Sequence, residues 1–415
     1  MRENLSGAGA ARVLCLLLCL PGCNAVFGIR EGIEDGAGAA GGTGGDGTGG
    51  SGTGGTGGAA ACSSTCADSD YGQPDGPCAP DILYESLGNL DENLEGTGVV
   101  VDEARDRVIW AKGDGAAIMA TPRSGGDSLV LADVPVQPGA HYPWSLAVSG
   151  KYLHWTTFYD GSVGRLDLEK VGSAPELAAT APGMGLRMPL SVHGGRVYFF
   201  TMVSTEQVAN PWCHGPESGK PPATCTMQPW RAALDGAGET ATEVGPAHDG
   251  GIGGGAADET RVYWVECNPS VTGGRIRYVE LGGPEPQTLL EFGGGCGEGL
   301  AVEPGPDGLV YWATNSTISR ADKAGQNLGA LVAANSPSHI LVDDTHVYWV
   351  ESSGLGEPED DGAIYRLAKT GGDTVKVATA HEPGGIAQDA CSIYWTSTFL
   401  QNQPGGHIEL KRISK

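Results

Sequence analysis

The sequence predicts an all-β protein in which seven four-stranded sheets form a ring, a seven-bladed β-propeller. The first observation is a short apolar segment ending in an aromatic ring, which recurs seven times at intervals of 37 to 65 residues. Repeats of this length that read as four short strands each are typical of propellers. The segments are Val108-Ile109-Trp110, Leu153-His154-Trp155, Val197-Tyr198-Phe199, Val262-Tyr263-Trp264, Val310-Tyr311-Trp312, Val347-Tyr348-Trp349 and Ile393-Tyr394-Trp395.

The second observation is the constant order of strands and turns around each aromatic segment. An apolar strand such as 337–343 precedes it, a third strand such as 362–366 follows a glycine-containing loop, and a fourth strand such as 374–377 follows a tight turn. Four antiparallel strands with short connections are what one blade requires.

The third observation concerns the two ends of the repeat array. The seventh repeat finishes at 406–412 without a fourth strand, whereas a spare strand, 81–87, precedes the first repeat. We expect 81–87 to complete the last blade, because this pairs an otherwise exposed sheet edge. Seven blades is then the self-consistent number, since six or eight would leave an unpaired strand.

Residues 1–22 predict an export signal. Two arginines precede the apolar run 13–20, which is too short to span a bilayer. The following Leu20-Pro21-Gly22-Cys23 resembles a bacterial lipobox, which implies cleavage before Cys23 and lipidation of Cys23. An ordinary secretory signal cut nearby is the alternative.

Residues 23–61 form a glycine- and threonine-rich tether, with an r.m.s. span of roughly 35 Å for a flexible coil. A cysteine-containing lead-in, 62–80, connects it to the propeller, 81–415. Lipobox and tether together resemble lipoproteins of myxobacterial type, which implies a lipid-anchored, extracytoplasmic protein of the cell envelope.

Charge narrows the choice of partners. The 25 basic and 50 acidic residues give a formal net charge of -25, which argues against nucleic acid and favours a soluble monomer. We expect an envelope protein, a glycan or a small ligand as partner, with membrane contact through the lipid alone. A cationic ligand or wall polymer stays open, and no cofactor is predicted.

Eight cysteines remain once the signal is removed and Cys23 is lipidated, an even number suited to an oxidising compartment. The propeller topology predicts three pairs and leaves a fourth by elimination. They are Cys78–Cys391, Cys213–Cys225, Cys267–Cys296 and Cys62–Cys66. A zinc site is the alternative, but no C-x-x-C occurs and no metal site is predicted.

Binding in a propeller is expected on its top face, which we define by the connections from second to third strands and from blade to blade. A long insertion at 203–229 lies there, with Trp212 inside it and Trp230 at its end. We expect these two, with His141 and Trp144, to bind the ligand, because exposed aromatic side chains suit recognition. A cap packed over blade three is the alternative.

Catalysis is the rival hypothesis. No H-E-x-x-H, G-x-S-x-G or Walker motif occurs. Channel-edge positions are mostly small except His339, and the turns that enter blades add further histidines and carboxylates. His339, His381 and Glu298 are weak candidates for acid–base chemistry; ordinary surface histidines are the alternative. The turn residues are His141, His248, Asp249, Glu298, His381 and Glu382.

The aromatic repeats over 81–415 resemble YWTD-type and NHL-type propellers, although the aspartate that follows the aromatic pair in YWTD repeats is missing. The resemblance implies the fold and no particular activity. We therefore expect a lipid-anchored binding or scaffold protein that uses its top-face loops, with a propeller enzyme of lyase or lactonase type as the alternative.

Overall fold

The computed structural model has seven β-sheets and two single turns of 3-10 helix, Asp68–Asp70 and Glu103–Arg105. It describes residues 66–71, 76, 78–87, 98–112, 117–134, 143–157, 161–170, 172–185, 190–204, 225–249, 251–268, 273–352, 362–380, 383–399 and 407–415. The signal, the tether with Cys23, and Cys62 lie outside these residues. Within them no helix is long and apolar enough to cross a membrane.

The first strand, β1 (Asp81–Leu87), belongs to the last blade. Blade one contains β2 (Val99–Asp102), β3 (Arg107–Lys112), β4 (Ala117–Pro122) and β5 (Leu129–Asp133). Blade two contains β6 (Pro143–Ser149), β7 (Tyr152–Thr157), β8 (Ser162–Asp167) and β9 (Glu176–Thr180). Blade three is irregular and contains β10 (Met184–Gly185), β11 (Ser191–His193), β12 (Arg196–Ser204), β13 (Cys225–Ala233), β15 (Thr242–Glu243) and β16 (His248–Asp249); β14 (Glu239–Thr240) pairs in parallel with β9 of blade two.

The remaining blades are regular. Blade four contains β17 (Gly251–Ala257), β18 (Arg261–Asn268), β19 (Gly273–Glu280) and β20 (Gln287–Gly293). Blade five contains β21 (Leu300–Val302), β22 (Leu309–Ala313), β23 (Thr317–Asp322) and β24 (Gly329–Ala333). Blade six contains β25 (Pro337–Val342), β26 (His346–Ser352), β27 (Gly362–Ala368) and β28 (Val375–Thr379). Blade seven contains β29 (Pro383–Gln388), β30 (Ser392–Phe399) and β31 (His407–Ser414), with β1 as its outer strand, antiparallel to β31.

The first strands of the seven blades neighbour one another in a closed ring around the central axis. The blade number predicted from the aromatic segments is thus confirmed. Each aromatic segment lies on the second strand of its blade, and its large ring is buried in the seam between that blade and the preceding one. The repeated tryptophan is therefore the packing core of the propeller, as its period predicts.

A recurring polar contact holds the bottom face of four seams. A carboxylate at the end of a first strand accepts backbone N–H groups of the next turn, the hydroxyl of the tyrosine in its own aromatic segment, and a cation from the following blade. The cation is always the residue directly after that blade's third strand. We call this contact the interblade clasp; it is formed by Asp258–Tyr263–Lys323, Glu303–Tyr311–Lys369, Asp343–Tyr348–Lys415 and Asp389–Tyr394–Arg123.

The clasp of blades four and five shows the geometry. Asp258 Oδ1 accepts the amides of Thr260 and Arg261 at 2.7 and 2.8 Å, while Oδ2 lies 3.0 Å from the Tyr263 hydroxyl and 2.7 Å from Lys323 Nζ. Burial raises the pKa of Asp258, but Lys323 and the turn amides outweigh it and lower the pKa overall. Burial and the neighbouring carboxylate raise the pKa of Tyr263. The carboxylate is thus ionised and the phenol protonated.

The other three seams replace the clasp cation with leucine. Leu168, Leu234 and Leu281 each follow a third strand directly and pack against the apolar cluster of their seam. The residue at the position of the clasp acid differs as well. Ser149 and His193 end the first strands of blades two and three. In blade one the acid is Asp102, which pairs with Arg105 and Arg107 of its own blade. Two of the three seams therefore lack both the acid and the cation, whereas in the third the acid Asp102 is retained and takes its cations from its own blade.

The lead-in closes on itself, which corrects two predicted disulfides. Cys78 pairs with Cys66, at a Cα separation of 6.0 Å, so the predicted pairs Cys78–Cys391 and Cys62–Cys66 are wrong. The turn at Asp68–Asp70 folds the chain back and brings the two cysteines together. Cys391 is also disulfide-bonded, but not to either of them. Cys267–Cys296 is confirmed, and Cys213–Cys225 involves side chains outside the described residues.

The lead-in packs under blades six and seven. Cys66, Tyr71 and Cys78 are buried in the same cluster as Tyr348 and Trp395. The Tyr71 hydroxyl donates to the Ser414 carbonyl at 3.1 Å and accepts from Arg366 Nη1 at 2.8 Å. The Cys66 amide also donates to the Lys415 carbonyl. The lead-in therefore contacts both blade six and blade seven, on either side of the seam between them.

We predict that Asp258→Asn lowers the free energy of unfolding by about 3–5 kcal/mol, because it leaves the buried Lys323 ammonium without its counter-charge. Urea unfolding followed by tryptophan fluorescence measures this. Asp344→Asn, at an exposed turn position beside a clasp, is the control and should change stability by less than about 0.5 kcal/mol. Equal effects of the two changes would contradict a special role for the clasp.

Acid should weaken the clasp of blades six and seven. Burial raises the pKa of Asp343, but Lys415 and the turn amides lower it to about 2, below its ordinary 3.8. A carboxylate with a depressed folded-state pKa contributes stability above pH 4, and this is lost as the pH falls toward 2. Lys415→Met should therefore move the acid-unfolding midpoint to higher pH. An unchanged midpoint would show that the lysine does not stabilise the carboxylate.

Candidate functional site on the top face

The described residues cover part of the predicted top face. Trp212, His141 and His381 lie outside them, as does the side chain of Trp144, although its backbone belongs to β6. The binding roles of Trp212, His141 and Trp144 and the catalytic role of His381 therefore stay predictions. His339, Glu298, His248 and Trp230 are described, and they differ in how well they fit the expected site.

Trp230 corrects the sequence-based expectation. It is 5% exposed in the core of blade three, and its indole Nε1 donates to Thr201 Oγ1 at 2.8 Å. The reason is a swap within the repeat: the second strand carries the smaller Phe199 where other blades have tryptophan, and Trp230, opposite it on the third strand, supplies the missing ring. Trp230 fills the core and does not face a ligand.

Two of the candidate catalytic residues do come together at the axis. Glu298 and Ser338 form a parallel backbone bridge between the strands entering blades five and six, and His339 follows directly. His339 Nδ1 lies 3.0 Å from Ser338 Oγ. The backbone of His339 is left-handed, with φ of 50°, which is uncommon for a residue other than glycine and occurs preferentially where a functional constraint maintains it.

The axis around His339 is tightly packed. At the equivalent position of blade five, a Cβ added to Gly299 would lie 2.7 Å from Ile340 Cγ1, so the inner strands approach too closely for a larger residue. His339 is 3% exposed and Ser145, its equivalent in blade two, is also buried. Burial lowers the pKa of His339 to about 4, so the imidazole is neutral at physiological pH. A shielded neutral imidazole can donate one hydrogen bond and accept another, but it is poorly placed to meet a substrate that arrives from solvent.

A second polar group lies at the top of the seam between blades three and four, and sequence reasoning missed most of it. Glu266 is 6% exposed, and its Oε1 accepts from Trp264 Nε1 at 3.0 Å and lies 3.4 Å from His248 Nδ1. Its Oε2 accepts from Arg275 Nε and lies 3.7 Å from Arg277 Nη1. We call Glu266, His248, Arg275 and Arg277 the Glu266 cluster.

Local strand geometry places this cluster. Glu266 stands two residues after Trp264 on β18 and therefore faces the same side, while Arg275 and Arg277 alternate along β19 opposite Glu266 and Trp264. His248 comes from β16, which pairs with the start of β13, just after the long insertion. The sequence signal at the Glu266 position is weak, because four blades have threonine or serine there, blade one has Lys112 and blade six has a second glutamate, Glu351. Glu351 accepts from Trp349 Nε1 at 2.9 Å, as Glu266 accepts from Trp264. What distinguishes blade four is the pair of arginines on β19, where blade six has Ala363 and Tyr365.

The confirmed disulfide joins the two polar regions. Cys267 follows Glu266 on β18, and Cys296 precedes Glu298 in the connection to blade five. The bond therefore fixes the Glu266 cluster relative to the axis. Among the side chains that the structure describes, no group of three or more His, Cys, Asp or Glu is arranged to hold a metal ion.

We predict that His339 stays neutral from pH 8 to pH 5, because burial lowers its pKa to about 4. Nuclear magnetic resonance of histidine-labelled protein, with His339→Gln to assign the signal, measures the titration. A midpoint near 6.5 would mean that solvent reaches the imidazole, and His339 would again be a candidate for acid–base catalysis.

Comparison with known proteins supports the fold and nothing narrower. No protein-family model and no curated protein matches the chain. An oligogalacturonate lyase solved with manganese is 12% identical, with a TM-score of 0.53 over 83% of this chain and 95% of that one. An oligogalacturonate lyase from Vibrio parahaemolyticus is 10% identical, with a TM-score of 0.52 over 80% and 98%. A puromycin-hydrolysing peptidase from Mycobacterium tuberculosis is 14% identical, with a TM-score of 0.53 over 77% of this chain and 52% of that one, about half its length. The β-propeller part of the sequence resemblance is confirmed.

Proposed function

We propose that the protein is a lipid-anchored, extracytoplasmic β-propeller that binds an envelope protein, a glycan or a small ligand through its top face. The proposal rests on the difference between the axis of the ring and the top of blades three and four. The axis, where propeller catalysis would be expected, is lined by glycines and a buried neutral His339, whereas the Glu266 cluster at the top of blades three and four presents the partly exposed Arg275.

Two features support an extracytoplasmic location. The disulfides Cys66–Cys78 and Cys267–Cys296 are typical of oxidising compartments. The lipobox-like segment and the tether would attach the protein to a membrane through Cys23. The lead-in enters under the bottom face, so a tether there would leave the top face directed away from the membrane.

A propeller enzyme of lyase or lactonase type is the second candidate. The left-handed backbone of His339 and its proximity to Glu298 favour it, because strained backbone is maintained at functional sites more often than elsewhere. The solved lyases share the fold at 10–12% identity, which does not extend their activity to this chain. Saturable turnover of a sugar acid or lactone that His339→Gln abolishes would establish it.

The binding proposal predicts that the long insertion is required for ligand capture. We expect the full protein to enrich a component of the native envelope, and replacement of 205–224 by a short Gly-Ser linker to reduce the captured amount about tenfold. Quantitative mass spectrometry of material eluted from the immobilised protein measures this. The control replaces 353–361, the corresponding connection of blade six, in the same way.

Each outcome has a clear meaning. Loss of capture with the blade-three replacement, but not with the blade-six control, supports a binding site beside the Glu266 cluster. Capture that survives removal of 205–224 contradicts the proposal.

A further inference from the structure

The Glu266 cluster contains an unbalanced positive charge. Arg275 and Arg277 both pair with Glu266, and neither has a second carboxylate within 4 Å among the residues that the structure describes. Two guanidinium groups are permanently charged, so a single carboxylate neutralises only one of them. Because the Glu266 and Arg277 side chains are largely removed from water, a cluster of this kind is stabilised by a further anion.

The geometry leaves one arginine available to such an anion. Glu266 holds Arg275 through Nε, and the Arg275 side chain is 39% exposed. Arg277 is more enclosed, and its Nη2 donates to the Pro286 carbonyl at 3.0 Å. Arg275 therefore presents its two Nη groups outward while a buried carboxylate fixes their direction. A guanidinium oriented in this way matches the paired oxygens of a carboxylate or phosphate.

The nearest competitor for Arg275 is Glu291. It lies opposite Arg275 on β20 and is exposed, yet its carboxylate oxygens do not come within 4 Å of the Arg275 guanidinium nitrogens. Glu291 would therefore lower the affinity for an anion without occupying the site.

We propose that the Glu266 cluster is an anion-binding site in which Arg275 holds a carboxylate or phosphate group of the ligand. The inference rests on the proposed binding function, since it names the chemistry that the top face recognises. Arg275 makes the direct contact, Glu266 orients Arg275, and Arg277 supplies further positive potential. In a chain with a net charge of -25, the acidic surface repels anions, so a localised positive group is where an anion is attracted.

The test uses inorganic phosphate and succinate as probes, titrated by calorimetry at constant ionic strength. We expect saturable binding by the full protein and at least about tenfold weaker binding by Arg275→Gln, the loss expected for a charge-assisted contact. Arg196→Gln is the matched control, because Arg196 is an exposed arginine at the bottom of blade three. It should bind both probes as the unchanged protein does.

The variant Glu291→Gln provides an independent test of the same site. It removes the competing carboxylate and should tighten probe binding, an effect that a purely structural role of Arg275 would not produce. Preference for one probe identifies the anion as a carboxylate or a phosphate. Absence of saturable binding to both probes, or equal binding by Arg275→Gln, overturns the inference. The insertion replacement tests the proposed function separately, so failure of the anion site alone would leave it intact.

Discussion

The interblade clasp is the contact on which the ring depends most visibly. Seven twisted sheets pack face to face around an axis, and each seam must hold two blades that the chain joins by one connection. A carboxylate that accepts turn amides, a tyrosine hydroxyl and a cation from the next blade connects three elements at one point. Because the tyrosine belongs to the aromatic segment that packs the core, the polar and apolar parts of the seam are fixed by the same strand.

The three seams that lack a clasp cation show the alternative solution. In two of them Leu234 and Leu281 occupy the position of the cation, and Ser149 or His193 occupies that of the acid. In the third, Leu168 replaces the cation and Asp102 pairs with arginines of its own blade. Replacing an ion pair as a unit avoids an uncompensated buried charge, which would cost more than either intact arrangement. The charged and apolar seams divide the ring into two arcs. The irregular blade three, with its insertion and the Glu266 cluster, lies in the apolar arc.

The sequence predicts what depends on local period and misses what depends on neighbouring blades. The aromatic segments on the second strands were sufficient to predict the number of blades, because each blade buries one such segment. Lys323 and Asp258 belong to different repeats, so no local pattern joins them, and the clasp became visible only in three dimensions. Trp230 was misplaced because its role is to compensate for Phe199 on a paired strand. Cys267 and Cys296 were assigned correctly to each other, but Cys66 and Cys78 are brought together by a turn that the sequence did not signal.

The two faces of the ring differ in the contacts that they carry. The bottom face carries the clasps and the lead-in. The top face carries the Glu266 cluster, the residues Glu298 and His339 near the axis, and the disulfide between them.

A double-mutant cycle on Asp389 and Arg123, which join the last blade to the first, tests most directly the claim that the clasp stabilises the ring. The account predicts a coupling free energy of about 1–3 kcal/mol between Asp389→Asn and Arg123→Met in urea unfolding. Additive effects, with no coupling, would contradict it.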